Sequence, residues 1–179
     1  MRRVLMVVAS RNFRDEEYFD VRRVLESYGL EVVTASPKEG HVRSTFGRFI
    51  MADMLLSCAR ARDFDAIVFV GGQGVLELLE MRSVKRLILD AVSLGRVVSA
   101  ICMAPILLAN AGVLKGRRVT GYPDVKDALI SAGAIWTSEG VACDGNIVTA
   151  DGPASAVAFG EAIAKLLLTG QKNALHSRG

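Results

Sequence analysis

The feature that most narrows what this chain can fold into is a repeated switch of hydrophobic period. Val4–Ala9 is an unbroken apolar run, and Leu30–Ala35, Asp65–Val70 and Val97–Ile101 are short, strongly apolar segments. A strand covered on both faces has no solvent side, so it loses the in-out alternation of an ordinary strand. Between these runs the period lengthens. Over Asp15–Tyr28, Val21, Val24, Leu25 and Tyr28 fall at i, i+3, i+4 and i+7, and Gly29 supplies a C-terminal cap. Val84, Leu87, Ile88, Ala91 and Val92 mark another helical face, and an Ala/Leu helix follows Cys102 to about Gly112. Later elements are shorter. Arg118–Gly121 reads as a strand, Pro123–Ser131 as a helix opening on proline, and Val141–Ala150 as a hairpin bent at Asp144-Gly145. Ser36–Gly47 reads as a polar loop. Strand and helix in alternation predict a mostly parallel sheet between two helical layers, a three-layer α/β/α sandwich.

Composition sharpens that reading. At 179 residues without linker or repeat, the chain reads as one domain over 1–170 and a short polar tail over 171–179. Hydrophobic residues are 51% and aromatics only 6%, so the core is aliphatic. The 22 Lys+Arg against 19 Asp+Glu leave +3, too little and too scattered to indicate nucleic acid. Three widely spaced cysteines, Cys58, Cys102 and Cys143, form neither a disulfide framework nor a metal-ligand spacing. Val4–Ala9 is too short for a signal sequence, and Ala154–Leu168 is interrupted by Glu161 and Lys165, so no membrane span is expected. The expected setting is cytoplasmic, with no cofactor and no metal.

In a parallel sheet, ligands bind beyond the carboxyl ends of the strands. After Ile101 comes Cys102, flanked two residues away on either side by Ala100 and Ala104. A sharp strand-to-helix turn at a nucleophile requires small residues at those positions, as in the serine elbow of hydrolases. The start of a helix favours thiolate, so a thiol pKa below the ordinary ≈ 8.5 is expected. The competing reading, a buried inert thiol, is less compatible with the flanking alanines. After Val70 comes Gly71-Gly72-Gln73-Gly74. Counted from Gly72, the third glycine of a dinucleotide fingerprint is replaced by Glu77, so phosphate cradling is weakly supported. A tight turn and an oxyanion-binding Gly72 N–H, paired with that of Met103, explain the glycines equally well. In the first helix, Glu17, Val21, Val24 and Tyr28 share a face, whereas Glu16, Asp20, Arg23 and Ser27 form a polar stripe. Glu17 is therefore a carboxylate at the rim of the buried face. Its two readings are a proton donor with a raised pKa and a plain complement to the helix dipole.

Glu17, Gly71-Gly72 and Ala100-Ile101-Cys102-Met103-Ala104-Pro105 together resemble the ThiJ/PfpI superfamily from Val4 to about Leu168. Lys115–Thr120, Asp124–Gly133 and Asp144-Gly145-Asn146 also resemble its later segments. The resemblance implies a flavodoxin-like sandwich akin to class I glutamine amidotransferases, and a homo-oligomer. It further implies Cys102 as nucleophile, Glu17 as its hydrogen-bonding partner, and Gly72 and Met103 as oxyanion donors. Two positions depart from the pattern. Met103 stands where the peptidase-like branch has histidine, and Tyr122 where another branch has one. The only histidines are His41, in the polar loop, and His176, in the tail. Tyr122 remains a candidate for orienting a substrate oxygen. The resemblance thus implies a cofactor-independent glyoxalase or deglycase acting on small reactive carbonyls. The alternatives are a cysteine-oxidation sensor or stress-protective protein, and, against the missing histidine, an intracellular cysteine peptidase.

Overall fold

The computed structural model describes the backbone of residues 1–176 and the side chains of residues 1–169. In chain order it forms β1 (Arg3–Val7), β2 (Arg11–Phe13), α1 (Asp15–Ser27), β3 (Glu31–Ser36), β4 (Gly40–Ser44), β5 (Phe49–Ala52) and β6 (Met54–Leu55). There follow β7 (Ala66–Phe69), α2 (Val75–Leu79), α3 (Arg82–Ser93), β8 (Val97–Ile101) and α4 (Pro105–Asn110). The chain closes with β9 (Arg118–Val119), α5 (Lys126–Ser131), β10 (Ile135–Trp136), β11 (Val141–Asp144), β12 (Ile147–Ala150) and α6 (Ala156–His176). Seven strands form the central sheet in the order β11-β12-β8-β7-β1-β3-β6. Every neighbouring pair is parallel except β11 with β12, the hairpin bent at Asp144-Gly145.

Alternation along β1 shows why its sequence is apolar throughout. Val4, Met6 and Val8 pack in one core with α1 and α6, while Leu5, Val7 and Ala9 pack in the other with α3 and α4. Both faces are dry, so both side-chain parities must be apolar. Three acidic residues, Asp15, Glu16 and Glu17, open α1, where they complement the helix dipole. At its other end Gly29 adopts φ 76°, and the Gly29 and Leu30 N–H groups close onto Glu26 and Leu25 carbonyls.

Several boundaries differ from the sequence reading. The stretch 36–47, read as a polar loop, contains β4, which pairs parallel with β2 and antiparallel with β5 in a second, three-stranded sheet. Its buried side chains are Val42 and Ser44, and a buried serine carries no hydrophobic signal. Tyr28 was placed on the buried stripe but is 38% exposed, because it is the residue on which α1 ends; Leu25 continues the stripe instead. Val92 also turns outward. Only Arg118–Val119 of the stretch 118–121 is strand, paired with β10 off the main sheet. Thr120 leaves it by donating its N–H to the Thr149 hydroxyl. The helix expected from Pro123 begins as a 3₁₀ turn over Pro123–Val125. At the C-terminus α6 continues to His176, so the 171–179 segment read as a tail starts as helix; residues 177–179 lie outside the described residues.

Candidate active site

The carboxyl ends of β1, β7 and β8 bring three segments together: residues 10–17, Gly71–Gly74 and Cys102–Met103. Cys102 follows β8 with φ 63°, in the left-handed region that side chains disfavour. Such a conformation costs of order 1–3 kcal/mol and persists where its surroundings over-determine it. Here the Cys102 N–H donates to the Ala150 carbonyl at 2.9 Å, and the Cys102 carbonyl accepts the Tyr122 N–H at 2.8 Å. Ala100 and Ala104 are fully buried on either side, which leaves no room for larger flanks. The turn has the geometry of a nucleophile elbow.

Two backbone donors face the sulfur. The N–H groups of Gly72 and Met103 hydrogen-bond to Cys102, and among the described residues neither donates to a backbone carbonyl. Gly72 is required there for two reasons. Its φ is +102°, and a Cβ would stand 2.5 Å from the Asn12 carbonyl oxygen. Gly71 is excluded from carrying a side chain by close approach alone. A Cβ would collide with Glu17 and sit 2.6 Å from the Ile101 carbonyl oxygen and 2.8 Å from Cys102 Cβ.

That crowding holds the Glu17 carboxyl against the elbow. Glu17 is fully buried, and its Oε2 accepts the Gly71 N–H at 2.8 Å. Oε1 is buried and, among the described residues, has no close hydrogen-bond partner. The Cys102 thiol shifts the Glu17 titration and is shifted by it. A hydrogen bond between thiol and carboxyl, too loose to satisfy Oε1, carries this coupling, and at the sulfur the Glu17 charge adds to it. Burial pushes the Glu17 carboxyl up to about 7, against the opposing pull of the thiol, the Gly71 N–H and the Arg14 charge. Burial, followed by the Glu17 charge, pushes the Cys102 thiol up to about 12, while the Gly72 and Met103 N–H groups pull it down.

The expectation of a low thiol pKa is thereby corrected. It relied on the dipole of the following helix, but α4 begins only at Pro105 and spans six residues. Burial and an adjacent carboxylate outweigh that short helix. Cys58 and Cys143 are exposed and stand apart from this arrangement.

Cys102 opens into a cavity of about 380 Å³ whose lining includes Arg14, Thr45, Gln73, Tyr122 and Asp124. Tyr122 and Pro153 also border a neighbouring cleft of about 360 Å³ walled by Trp136. Tyr122 thus stands between the two, with its side chain 42% exposed. His41 does not line the Cys102 cavity; it is exposed on β4 opposite Met51. The His176 side chain lies outside the described residues. Among the described residues no cluster of His, Cys, Asp and Glu is arranged to hold a metal, and no helix is long and apolar enough to cross a membrane.

Sequence reasoning missed three supporting residues. Asp15 is buried, accepts the Ser44 hydroxyl at 2.6 Å and the Phe46 N–H at 3.0 Å, and so ties the β4–β5 turn to the start of α1. Glu77, noticed only as a missing glycine, accepts both the N–H and the hydroxyl of Ser10 and joins the loops after β1 and β7. Arg14 enters the cavity from just before α1. Its neighbours Asp15 and Glu16 made that stretch look like an ordinary charged helix start.

This architecture is shared with known proteins. A deglycase of Pyrococcus abyssi is 32% identical over 163 residues, covering 91% of this chain and 98% of the relative. A glutathione-independent glyoxalase of Caenorhabditis elegans is 30% identical over 144 residues, covering 80% and 77% respectively. The crystal structure of a ThiJ/PfpI domain protein from Brachyspira murdochii superposes with a TM-score of 0.91 at 32% identity, over 93% of this chain and 96% of that one. The sequence pattern of the DJ-1/PfpI family matches residues 2–166, the whole span that builds the sheet, the elbow and the Glu17 site, and the chain belongs to that family.

Proposed function

We propose that this protein is a cofactor-independent enzyme acting on small reactive carbonyls in the manner of a glyoxalase or deglycase, with Cys102 as nucleophile and Glu17 as proton shuttle. The observation that carries this reading is the fully buried Glu17 carboxyl, with Oε1 unpartnered, coupled to the elbow thiol. The relatives named as a deglycase and a glyoxalase support the same substrate class.

A base is most effective when its pKa lies near the working pH, and a carboxylate raised to about 7 meets that condition. As the sulfur attacks an aldehyde carbon, the S–H proton passes to Glu17 and the C–S bond forms. The carbonyl π pair moves to oxygen, which the Gly72 and Met103 N–H groups receive in place of the sulfur. Glu17 then returns its proton to that oxygen, giving a hemithioacetal with no net change in protons or oxidation state. For a 2-oxoaldehyde, Glu17 next takes the proton from the former aldehyde carbon and delivers it to the neighbouring carbon, while the hydroxyl proton passes to the former ketone oxygen, giving a 2-hydroxy thioester. Water cleaves the resulting thioester to a 2-hydroxy acid and regenerates the thiol, so the sum is addition of one water. Tyr122, at the mouth, orients the substrate oxygen.

Methylglyoxal consumption by the wild type, Cys102→Ser and Glu17→Gln tests this. Turnover is expected to require both side chains, and kcat/KM is expected to rise as pH passes through about 7, because the base must be ionised. Loss of methylglyoxal that survives Cys102→Ser refutes the reading. A second reading has support from the same carboxyl: below about pH 7 a protonated Glu17 is placed to hydrogen-bond a Cys102 sulfinate. Clean conversion of Cys102 to sulfinate by mild peroxide, without turnover of any aldehyde, favours that sensor role.

A further inference from the structure

Arg14 is, among the described residues, the only cation lining the Cys102 cavity. It is held from two sides. One edge of its guanidinium is committed to Glu16, with Nε 2.7 Å from Oε2 and Nη2 3.2 Å from Oε1. Its plane lies over the Phe46 ring, 4.8 Å from the centroid, and Phe46 is in turn fixed through its N–H to buried Asp15. Among the described residues Nη1 makes no hydrogen bond, so the free donors belong to a group already immobilised. The Arg14 charge is felt at both Glu17 and Cys102. Asp124, the one acid lining the cavity with it, is exposed and makes no ion pair with it. An arginine pre-positioned in this way loses little side-chain entropy on meeting an oxyanion.

We infer that Arg14 is a specificity-determining residue that selects carbonyl substrates carrying an oxyanion, carboxylate or phosphate, close to the carbonyl carbon. The anionic end meets Arg14 Nη1 while the carbonyl carbon meets the Cys102 sulfur, and the rest of the molecule extends toward Tyr122. This deepens the carbonyl-enzyme reading and rests on Cys102 being the accessible nucleophile of the cavity.

Two alkylating reagents of nearly equal size test it without requiring turnover. Iodoacetate carries a carboxylate and iodoacetamide does not. Rates at Cys102 are followed by peptide mass spectrometry and divided by those of free cysteine in the same buffer. The normalised iodoacetate-to-iodoacetamide ratio is expected to exceed one and to shrink with added salt. It should fall about tenfold in Arg14→Gln, the size of one unit-charge contact in a partly screened cleft, and be largely restored in Arg14→Lys. Protection of Cys102 by glyoxylate but not inorganic phosphate assigns the site to carboxylates, and the converse to phosphate esters; protection by either supports the inference. A ratio unchanged in Arg14→Gln overturns the role of Arg14 while leaving Cys102 in place. No alkylation of Cys102 by either reagent overturns the nucleophile reading, and this inference falls with it.

Discussion

The raised Glu17 carboxyl makes a prediction about stability that is independent of any substrate. In the unfolded chain this group titrates near its ordinary 4.5, and in the folded protein at about 7. A raised carboxyl means that folding favours the protonated form. Its contribution is therefore fully present below about pH 4.5 and is lost as pH rises through 7. Between those limits the unfolded state has released the proton and the folded state has not, so the native state binds more protons and stability falls with pH. At about 1.4 kcal/mol per pH unit, the full difference is about 3 kcal/mol. Glu17→Gln removes the titration but keeps the shape and the acceptor for the Gly71 N–H. Urea unfolding of both proteins at pH 4.5, 6, 7 and 8 isolates this one group, because Glu16 and Asp144, whose carboxyls are lowered, are common to both. The stability of the variant relative to wild type is expected to rise by about 3 kcal/mol from pH 4.5 to 8. With m near 2 kcal/mol per molar urea, this moves the midpoint difference by roughly 1.5 M. Parallel pH profiles for the two proteins refute a buried, titrating Glu17.

The remaining predictions concern the elbow and its surroundings. Gly72→Ala forces a side chain into φ +102° and against the Asn12 carbonyl; a loss of roughly 2–4 kcal/mol in urea unfolding is expected, and a loss below 0.5 kcal/mol refutes the close packing. Met103→His places an imidazole beside the nucleophile, so amide hydrolysis, expected to be negligible in the wild type, should become detectable with a chromogenic peptide amide; robust peptide cleavage by the wild type refutes the ranking of carbonyl over peptide chemistry. A homo-oligomer is expected, and light scattering across a dilution series checks it; a monomer throughout the micromolar range refutes it.

How much of this was legible in the sequence follows from how each side chain is satisfied. Central strands announce themselves because both of their faces must be apolar, and so β1, β7 and β8 were readable to within one or two residues. The second sheet was hidden for the opposite reason. Strand β4 buries Ser44 against Asp15, and a buried polar pair looks in sequence like a loop. The candidate site divides along the same line. Cys102, Gly72 and Glu17 break local rules, as a thiol among alanines, a paired glycine and a carboxylate on an apolar stripe, and such breaches are visible without coordinates. Arg14 breaks none. A charged residue before a helix is unremarkable until the fold brings Phe46 across 32 residues of chain to stack on it.

The thiol pKa shows why reading positions alone is insufficient for chemistry. Elbow geometry was inferred correctly from Ala100 and Ala104, yet the sign of the shift at the sulfur depends on what else is buried there. A short helix pulls toward thiolate; desolvation and an ionised Glu17 pull toward thiol, and they prevail. The reactive form is consequently not a standing thiolate waiting for substrate. In the proposed mechanism it is generated when Glu17 takes the proton as the sulfur attacks, so nucleophile and base act as one unit. A substrate-assisted thiolate of this kind should react with adventitious electrophiles measurably but more slowly than an exposed thiol, and be fully competent toward a carbonyl whose oxygen can be received by Gly72 and Met103. Exposed Cys58 is the internal comparison for that contrast. If wild-type Cys102 outpaces Cys58 toward iodoacetamide at pH 6, where most Glu17 is protonated, the thiolate pre-exists and the base role assigned to Glu17 is wrong.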